Sequence, residues 1–277
     1  MRRQKWVRIV AIIVGCVLLD IGLHLAASPW STAPPDPSPS PLAERLGVEA
    51  VATLWALLAF TGAALVFLWA RAGIPGRGIG QGLRYGGALA LLWLCAMLEG
   101  VSLFGNPLAN ELVTGLSDAI PALALGALLG LPGAGEGAGP RPVGRTPRQA
   151  AAVLGIFVVV FLAGRYAAYG AGAIASGWRA RPLETLVWTA LMGSAIGAGS
   201  LLLRPQGDAH GPWRGALRQG AVLFGVNWAT FLLFMPLMFR GYLADVVTRI
   251  ALDILIVTLA HHLAFRPVAV RTPGSAS

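Results

Sequence analysis

The chain is poor in charge: only 12% of its 277 residues are Asp, Glu, Lys or Arg. A soluble domain carries about a quarter charged residues to keep its surface hydrated, so that class is excluded. Lysine occurs once, at Lys5, beside 20 arginines; with abundant Ala and Gly this ratio suggests a GC-rich bacterial genome. Two cysteines, Cys16 and Cys95, both in apolar runs, allow neither a disulfide framework nor a cysteine-based metal ribbon. What is present in quantity is hydrophobic, 56% of residues with mean hydropathy +0.69. Lipid is the solvent that suits such a surface. The excess of 21 basic over 12 acidic residues then concerns membrane sidedness rather than nucleic-acid binding.

A membrane-crossing helix needs about 20 mainly apolar residues. Eight stretches qualify, at 6–28, 48–70, 83–104, 109–131, 149–175, 183–203, 216–238 and 242–265, with Gly105-Asn106-Pro107 as the turn between the third and fourth. With both termini cytoplasmic, 15 of the 21 basic residues fall in inner segments, while the outer segments hold only Arg45, Arg179, Arg181 and Arg240. That asymmetry places the chain in a bacterial inner membrane with N- and C-termini inside; an odd number of spans would scramble it. Met1 to Lys5 followed by an apolar run also reads as a signal peptide, and Ile13-Val14-Gly15-Cys16 as a loose lipoprotein box. The apolar stretch continues past Cys16, however, and has a counterpart in mid-chain.

That counterpart belongs to an internal repeat. Leu83-Arg84-Tyr85-Gly86 matches Leu217-Arg218-Gln219-Gly220, and Asn110-Glu111-Leu112-Val113-Thr114 matches Ala244-Asp245-Val246-Val247-Thr248, both at an offset of 134; Arg3-Gln4 matches Arg148-Gln149 at 145. The expected fold is an all-α polytopic membrane protein, eight transmembrane helices in two tandem four-helix halves of the same orientation. The halves cover 1–131 and 148–277, and a Gly/Pro-rich cytoplasmic linker at 132–147 joins them. The half-unit resembles small four-helix bacterial membrane proteins of uncharacterised function. The features carrying the resemblance are Asp20 and His24 in the first span, the glycine-rich loop Gly76 to Gly82 leading into Arg84 and Gly86, and the acidic fourth span with Glu111 and Asp118. The second half departs from that pattern, with Arg165 and Tyr169 where Asp20 and His24 are expected. The resemblance implies no activity.

Charged groups within the spans cost roughly 2.5–3.5 kcal/mol each near the bilayer centre and are functional candidates by default. Asp20, His24, Glu99, Asp118, Arg165, Arg249 and Asp253 are the candidate pathway residues. Asp245, Arg249 and Asp253 form one stripe at i, i+4, i+8. By depth, Asp20, Glu99, Asp118 and Arg249 belong to the outer half, Arg165 and Asp253 to the middle, and Glu111 and Asp245 to the outer interface. The favoured function is transporter-like, with an outward polar cavity between the halves for a small solute, a cation or a proton. The alternative is a non-transporting scaffold or accessory subunit that meets a membrane partner protein. In that case the eighth-span charges pair along their helix, Asp20 pairs with Arg165 across the repeat axis, and Glu99 and Glu111 snorkel to headgroups.

An intramembrane hydrolase is the third reading. Gly115-Leu116-Ser117 has a Gly-x-Ser pattern, and only His24 with Asp20 lies at a compatible depth to serve it. The enzyme reading is disfavoured, since a helical Ser in a Gly/Ala-rich span usually packs. The loop Gly76 to Gly82 lacks the G-x-G-x-x-G spacing of a nucleotide site. His261 and His262, with Asp208 or His210, lack metal-ligand spacing, and no cofactor is expected. Six prolines between Pro29 and Pro41 suggest an extended outer spacer. Pro121 and Pro236 are candidate kinks. Trp6, Trp30, Trp69, Trp178 and Trp213 fall at span ends as an aromatic belt requires, whereas Trp55, Trp93, Trp188 and Trp228 fall deeper.

Overall fold

A computed structural model describes residues 2–30, 38–131, 140, 144–204 and 212–266. Most of the expected linker and of the proline-rich stretch lies outside these residues, as do Arg141, Asp208, His210 and Arg271. The described chain is helical, in the order α1 (Arg2–Ala27), α2 (Pro41–Leu46), α3 (Val48–Ala70), α4 (Gly78–Met97), α5 (Glu99–Leu103), α6 (Leu108–Leu129), α7 (Pro147–Gly170), α8 (Pro182–Leu203), α9 (Pro212–Leu217), a π-helical segment (Arg218–Phe224), α10 (Gly225–Leu232), α11 (Phe234–Met238) and α12 (Leu243–Ala264).

Seven helical stretches are long and apolar enough to cross a membrane: Arg3–Trp30, Val48–Gly73, Gly78–Leu103, Leu108–Leu129, Pro147–Gly170, Pro182–Leu203 and Trp213–Met238. The chain is therefore a polytopic helical membrane protein by length and composition. The expected eighth span, α12, is a helix of 22 residues but is not among the seven; it carries Asp245, Arg249, Asp253, His261 and His262. The exterior suits lipid: Val7, Val10, Leu18 and Leu25 on α1 and Val159 on α7 all stand exposed. Trp6, Trp30, Trp69 and Trp213 are each more than half exposed near helix ends, and Trp178 is half-buried. The four deeper tryptophans are buried.

Local sequence explains the helix ends. Thr146 and Gln149 close a capping box at the start of α7, with Pro147 at the first helical position, where its missing N–H costs nothing. Gly105 (φ 79°) and Gly241 (φ 91°) make the left-handed turns before α6 and α12. Pro121 does not interrupt α6. Pro236 lies one turn beyond the break at Leu233 between α10 and α11, as expected of a residue that cannot donate to the carbonyl four positions earlier.

One continuous apolar core runs through α1, α3, α4, α6, α7, α8, α10 and α12. α6 packs along α4 and α1; α12 packs along α7 and along the run from α9 to α11. The largest contacts from one half of the chain to the other put α8 on α4 and α10 with α11 on α3. The indole of Trp188 on α8 donates to the Cys95 carbonyl at 2.8 Å, and that of Trp55 on α3 donates to the Thr230 carbonyl at 3.0 Å. The spacing between corresponding helices is regular: α1 and α7 open 145 positions apart, while α5 with α11 and α6 with α12 open 135 apart. The sequence match upstream has an offset of 134, at Leu83 and Leu217, whereas the α6 and α12 starts put Leu108 opposite Leu243, one residue off the 134 register that paired Asn110 with Ala244. The additional residue enters across the π-helical segment, where each turn holds more residues than an α turn.

Glycine sets the closest approach. Gly82 and Gly86 on α4 meet Gly126 and Gly130 on α6, backbone against backbone, and a Cβ at Gly86 would come within 2.8 Å of the Leu123 carbonyl oxygen. At Gly87, one residue on, nothing lies within 4 Å of such a Cβ. Gly86→Ala should lower stability by about 1–3 kcal/mol through overpacking, whereas Gly87→Ala should leave it unchanged or slightly raised. Thermal unfolding of the detergent-solubilised chain checks this, and equal effects at the two glycines would contradict the packing described.

Candidate functional site

The seven candidate residues do not meet at one place; the structure sorts them into two clusters. Asp20 and His24 lie one helical turn apart near the end of α1, which puts both on one face. Opposite them is Asp118 in the middle of α6, whose Oδ1 stands 3.0 Å from His24 Nε2. Asp20 Oδ1 is 3.9 Å from the same nitrogen. Both carboxylates are 2% exposed, whereas the imidazole is about one third exposed, with a side-chain value of 33%. One ligating atom from each of the three residues can be chosen so that all lie within 4.8 Å of one another. Asp20 Oδ1 is buried without a hydrogen-bond partner.

The second cluster is built on a fork. Arg165 of α7 donates from Nε to Asp253 Oδ1 at 2.7 Å and from Nη2 to Asp253 Oδ2 at 2.6 Å, the bidentate geometry in which guanidinium and carboxylate match best. Arg165 Nη1 reaches Glu99 Oε1 at 3.3 Å, and its plane lies over the rings of Phe161 and Trp188 at 5.3 and 5.2 Å. Trp228 on α10 donates its indole N–H to Asp253 Oδ2 at 2.9 Å. Arg249 donates to Glu99 and, at 3.1 Å, to Asp245, and it also reaches the Ala175 carbonyl at 2.9 Å. Arg165 and Asp253 are both at 0% exposure. Three carboxylates thus meet two guanidiniums in a network joining α5, α7, α10 and α12, buried at Arg165 and Asp253 and partly exposed at Asp245.

These partners differ in part from those expected. Asp20 does not pair with Arg165; Arg165 takes Asp253 and Glu99, on helices it packs against or that face it. The stripe on α12 pairs only at Asp245 and Arg249, because Asp253 is held by Arg165 and Trp228. Glu99 and Glu111 do not snorkel. Glu99 sits at the α4–α5 break and turns inward to both arginines, while Glu111 is 5% exposed and accepts from Asn106. At the seam between α4, α8 and the π-helical segment lies a cavity of about 30 Å³. It is lined by Tyr85, Gln219 and Asn227 among apolar side chains, and by none of the candidates.

Ser117 donates its hydroxyl back to the Val113 carbonyl at 3.0 Å, and His24 Nε2 is engaged with Asp118. No nucleophile–base contact forms between them. His262 stacks on Trp213 at 3.8 Å and its Nε2 accepts from Arg266 at 2.9 Å, while His261 packs on Phe265. Sequence reasoning missed Trp228 as a partner of Asp253. Its only available signal was an indole at mid-span, where a buried N–H needs an acceptor.

No family model, curated protein or solved structure matches the chain. The geometry therefore carries the argument alone. Removing Arg165 leaves the buried Asp253 with only the Trp228 indole, while Glu99 keeps Arg249, so Arg165→Met should cost about 3–5 kcal/mol. The pair replacement Arg165→Met with Asp253→Leu should recover most of that loss. Unfolding temperatures of the single and double variants test this; a silent Arg165→Met would mean the network does not hold the helices.

Proposed function

We propose that the protein is an eight-span membrane protein of two tandem four-helix halves, sited in a bacterial cytoplasmic membrane with both termini inside, and that it handles a small cation in a transporter-like manner. The observation that carries this reading is the Asp20, His24 and Asp118 cluster. It joins two deeply buried carboxylates and a partly exposed imidazole, and a carboxylate oxygen within it has no hydrogen-bond partner. A buried carboxylate oxygen left without a hydrogen bond, beside a second carboxylate and a single imidazole, suits a place where a cation arrives and leaves. The handling site belongs to the first half rather than to the seam between halves.

The eighth span is α12, equal in length to α6 and packed on α7 as α6 packs on α1. Support for two tandem halves comes from the regular spacing of corresponding helices and from the reciprocal indole bonds of Trp55 and Trp188 across the seam. Sidedness is supported by the arginine distribution.

The mutually paired network around the buried Arg165 favours a second reading, a non-transporting scaffold whose charges only hold helices together. The two readings differ in liposomes. For the purified chain reconstituted with an entrapped cation indicator, transport predicts a flux that falls roughly tenfold or more in Asp20→Asn and Asp118→Asn, a barrier change of about 1.4 kcal/mol or more. Flux indistinguishable from empty vesicles would leave the scaffold. Topology is checked separately: green fluorescent protein fused at the C-terminus should fluoresce, and a C-terminal alkaline phosphatase should be inactive. The reverse pattern would overturn the orientation.

A further inference from the structure

The two halves place different chemistry at corresponding positions. At the 145 spacing of α1 and α7, Asp20 corresponds to Arg165; at the 135 spacing of α6 and α12, Asp118 corresponds to Asp253. The same 135 relates Trp93 to Trp228. In the second half the set is complete: a guanidinium supplies the cation, the carboxylate grips it at both oxygens, and the indole donates to that carboxylate. The first half has the carboxylate and the indole but, in place of the arginine, a second carboxylate. There Asp20 Oδ1 and Trp93 Nε1 are both buried without a hydrogen-bond partner. The built-in cation of one half is missing from the other.

We propose that Asp20, His24 and Asp118 form a binding site for a divalent transition-metal cation, of the zinc, cobalt or manganese class. The proposal rests on the reading that this cluster takes a cation, and it names which kind. Charge is the first argument. Two carboxylates with a neutral imidazole sum to minus two, so a divalent ion leaves the site neutral inside lipid, whereas a monovalent ion leaves one charge uncompensated. Geometry is the second. Tetrahedral ligands at about 2.0–2.2 Å from a metal stand about 3.3–3.6 Å from one another, and the separations of His24 Nε2 from Asp118 Oδ1 and Asp20 Oδ1, 3.0 and 3.9 Å, bracket that range. Donor type is the third: imidazole with carboxylate oxygen suits these metals, and the set lacks the many oxygens that calcium requires. Three protein ligands leave a position open, and His24 provides the exposed edge by which an ion can enter.

The test uses the full chain in detergent, stripped with chelator and titrated with Co²⁺ and with Zn²⁺. Wild type should take up one equivalent, with the visible absorption of cobalt in a low-symmetry nitrogen–oxygen site that Zn²⁺ abolishes. Asp20→Asn, His24→Gln and Asp118→Asn should each weaken Zn²⁺ binding by about 100-fold or more, since even outer-shell partners of a metal site account for about 10–100-fold. Glu44→Gln, at the exposed Glu44–Arg240 pair, should bind as wild type does. A further variant guards against misfolding. Asp20→Arg installs the arrangement of the second half, so it should fold, unfold at a temperature no lower than wild type, and bind no metal. Absence of stoichiometric metal in folded wild type, or undiminished binding in Asp20→Arg, overturns the proposal. Flux of protons or monovalent ions through a chain that binds no divalent metal would refute the metal site and leave the transport reading standing. Stoichiometric metal without flux would do the opposite.

Discussion

A guanidinium in lipid must be matched where it stands, because no water is present to solvate it. Arg165 imposes that condition on this molecule. Its fork to Asp253 fixes α7 against α12; its third nitrogen ties in Glu99 and with it the α4–α5 break; and the indole of Trp228 brings α10 to the same carboxylate. Arg249 closes the circuit through Glu99 and Asp245. The pairing of α7, α10 and α12 follows from satisfying one buried cation. An apolar replacement of similar volume could serve stability as well; the ionic solution adds a specific register, since a bidentate fork tolerates little sliding.

Much of this could be read from the sequence. Apolar runs of sufficient length gave the helices, Gly105 marked the turn before α6, and the exposed and buried tryptophans sorted by their distance from span ends. The candidate charges were visible as exceptions in apolar runs, and the i, i+4 geometry of Asp20 with His24 and of Asp245 with Arg249 followed from the helix period. Partners between helices were not legible. Arg165 and Asp253 lie 88 residues apart, and no local rule says which neighbour α7 will face. Glu99 was misjudged because the break at Leu98, which turns it inward, leaves no Pro or Gly signature at that residue.

The two clusters share a geometry and differ in how they are closed. Both are a carboxylate on the inner helix of a pair facing an ionisable residue on the outer helix, α6 with α1 and α12 with α7. One is closed by its own arginine at zero exposure; the other is open at His24. A satisfied group rigidifies its surroundings, while an unsatisfied one carries a penalty that a ligand can relieve. With the proposed cation in place, the two clusters would be a structural and a ligand-dependent use of buried charge within a single chain. Composition alone could not have made that distinction.

The π-helical segment at Arg218–Phe224 acts as a phase shim between two contacts on the same partner. Ahead of its end, Gly220 lies against Thr258 of α12, where a Cβ would come within 2.9 Å of the Thr258 Cα; beyond it, Trp228 meets Asp253 of the same helix. In an α-helix each residue advances the azimuth by about 100°, so one surplus residue in a regular helix would swing every later side chain about that far from its target. By absorbing the surplus within a wider coil, the segment lets one face of α12 be read correctly at both ends. The helix is thus longer by one position than its counterpart without being out of step with its neighbour.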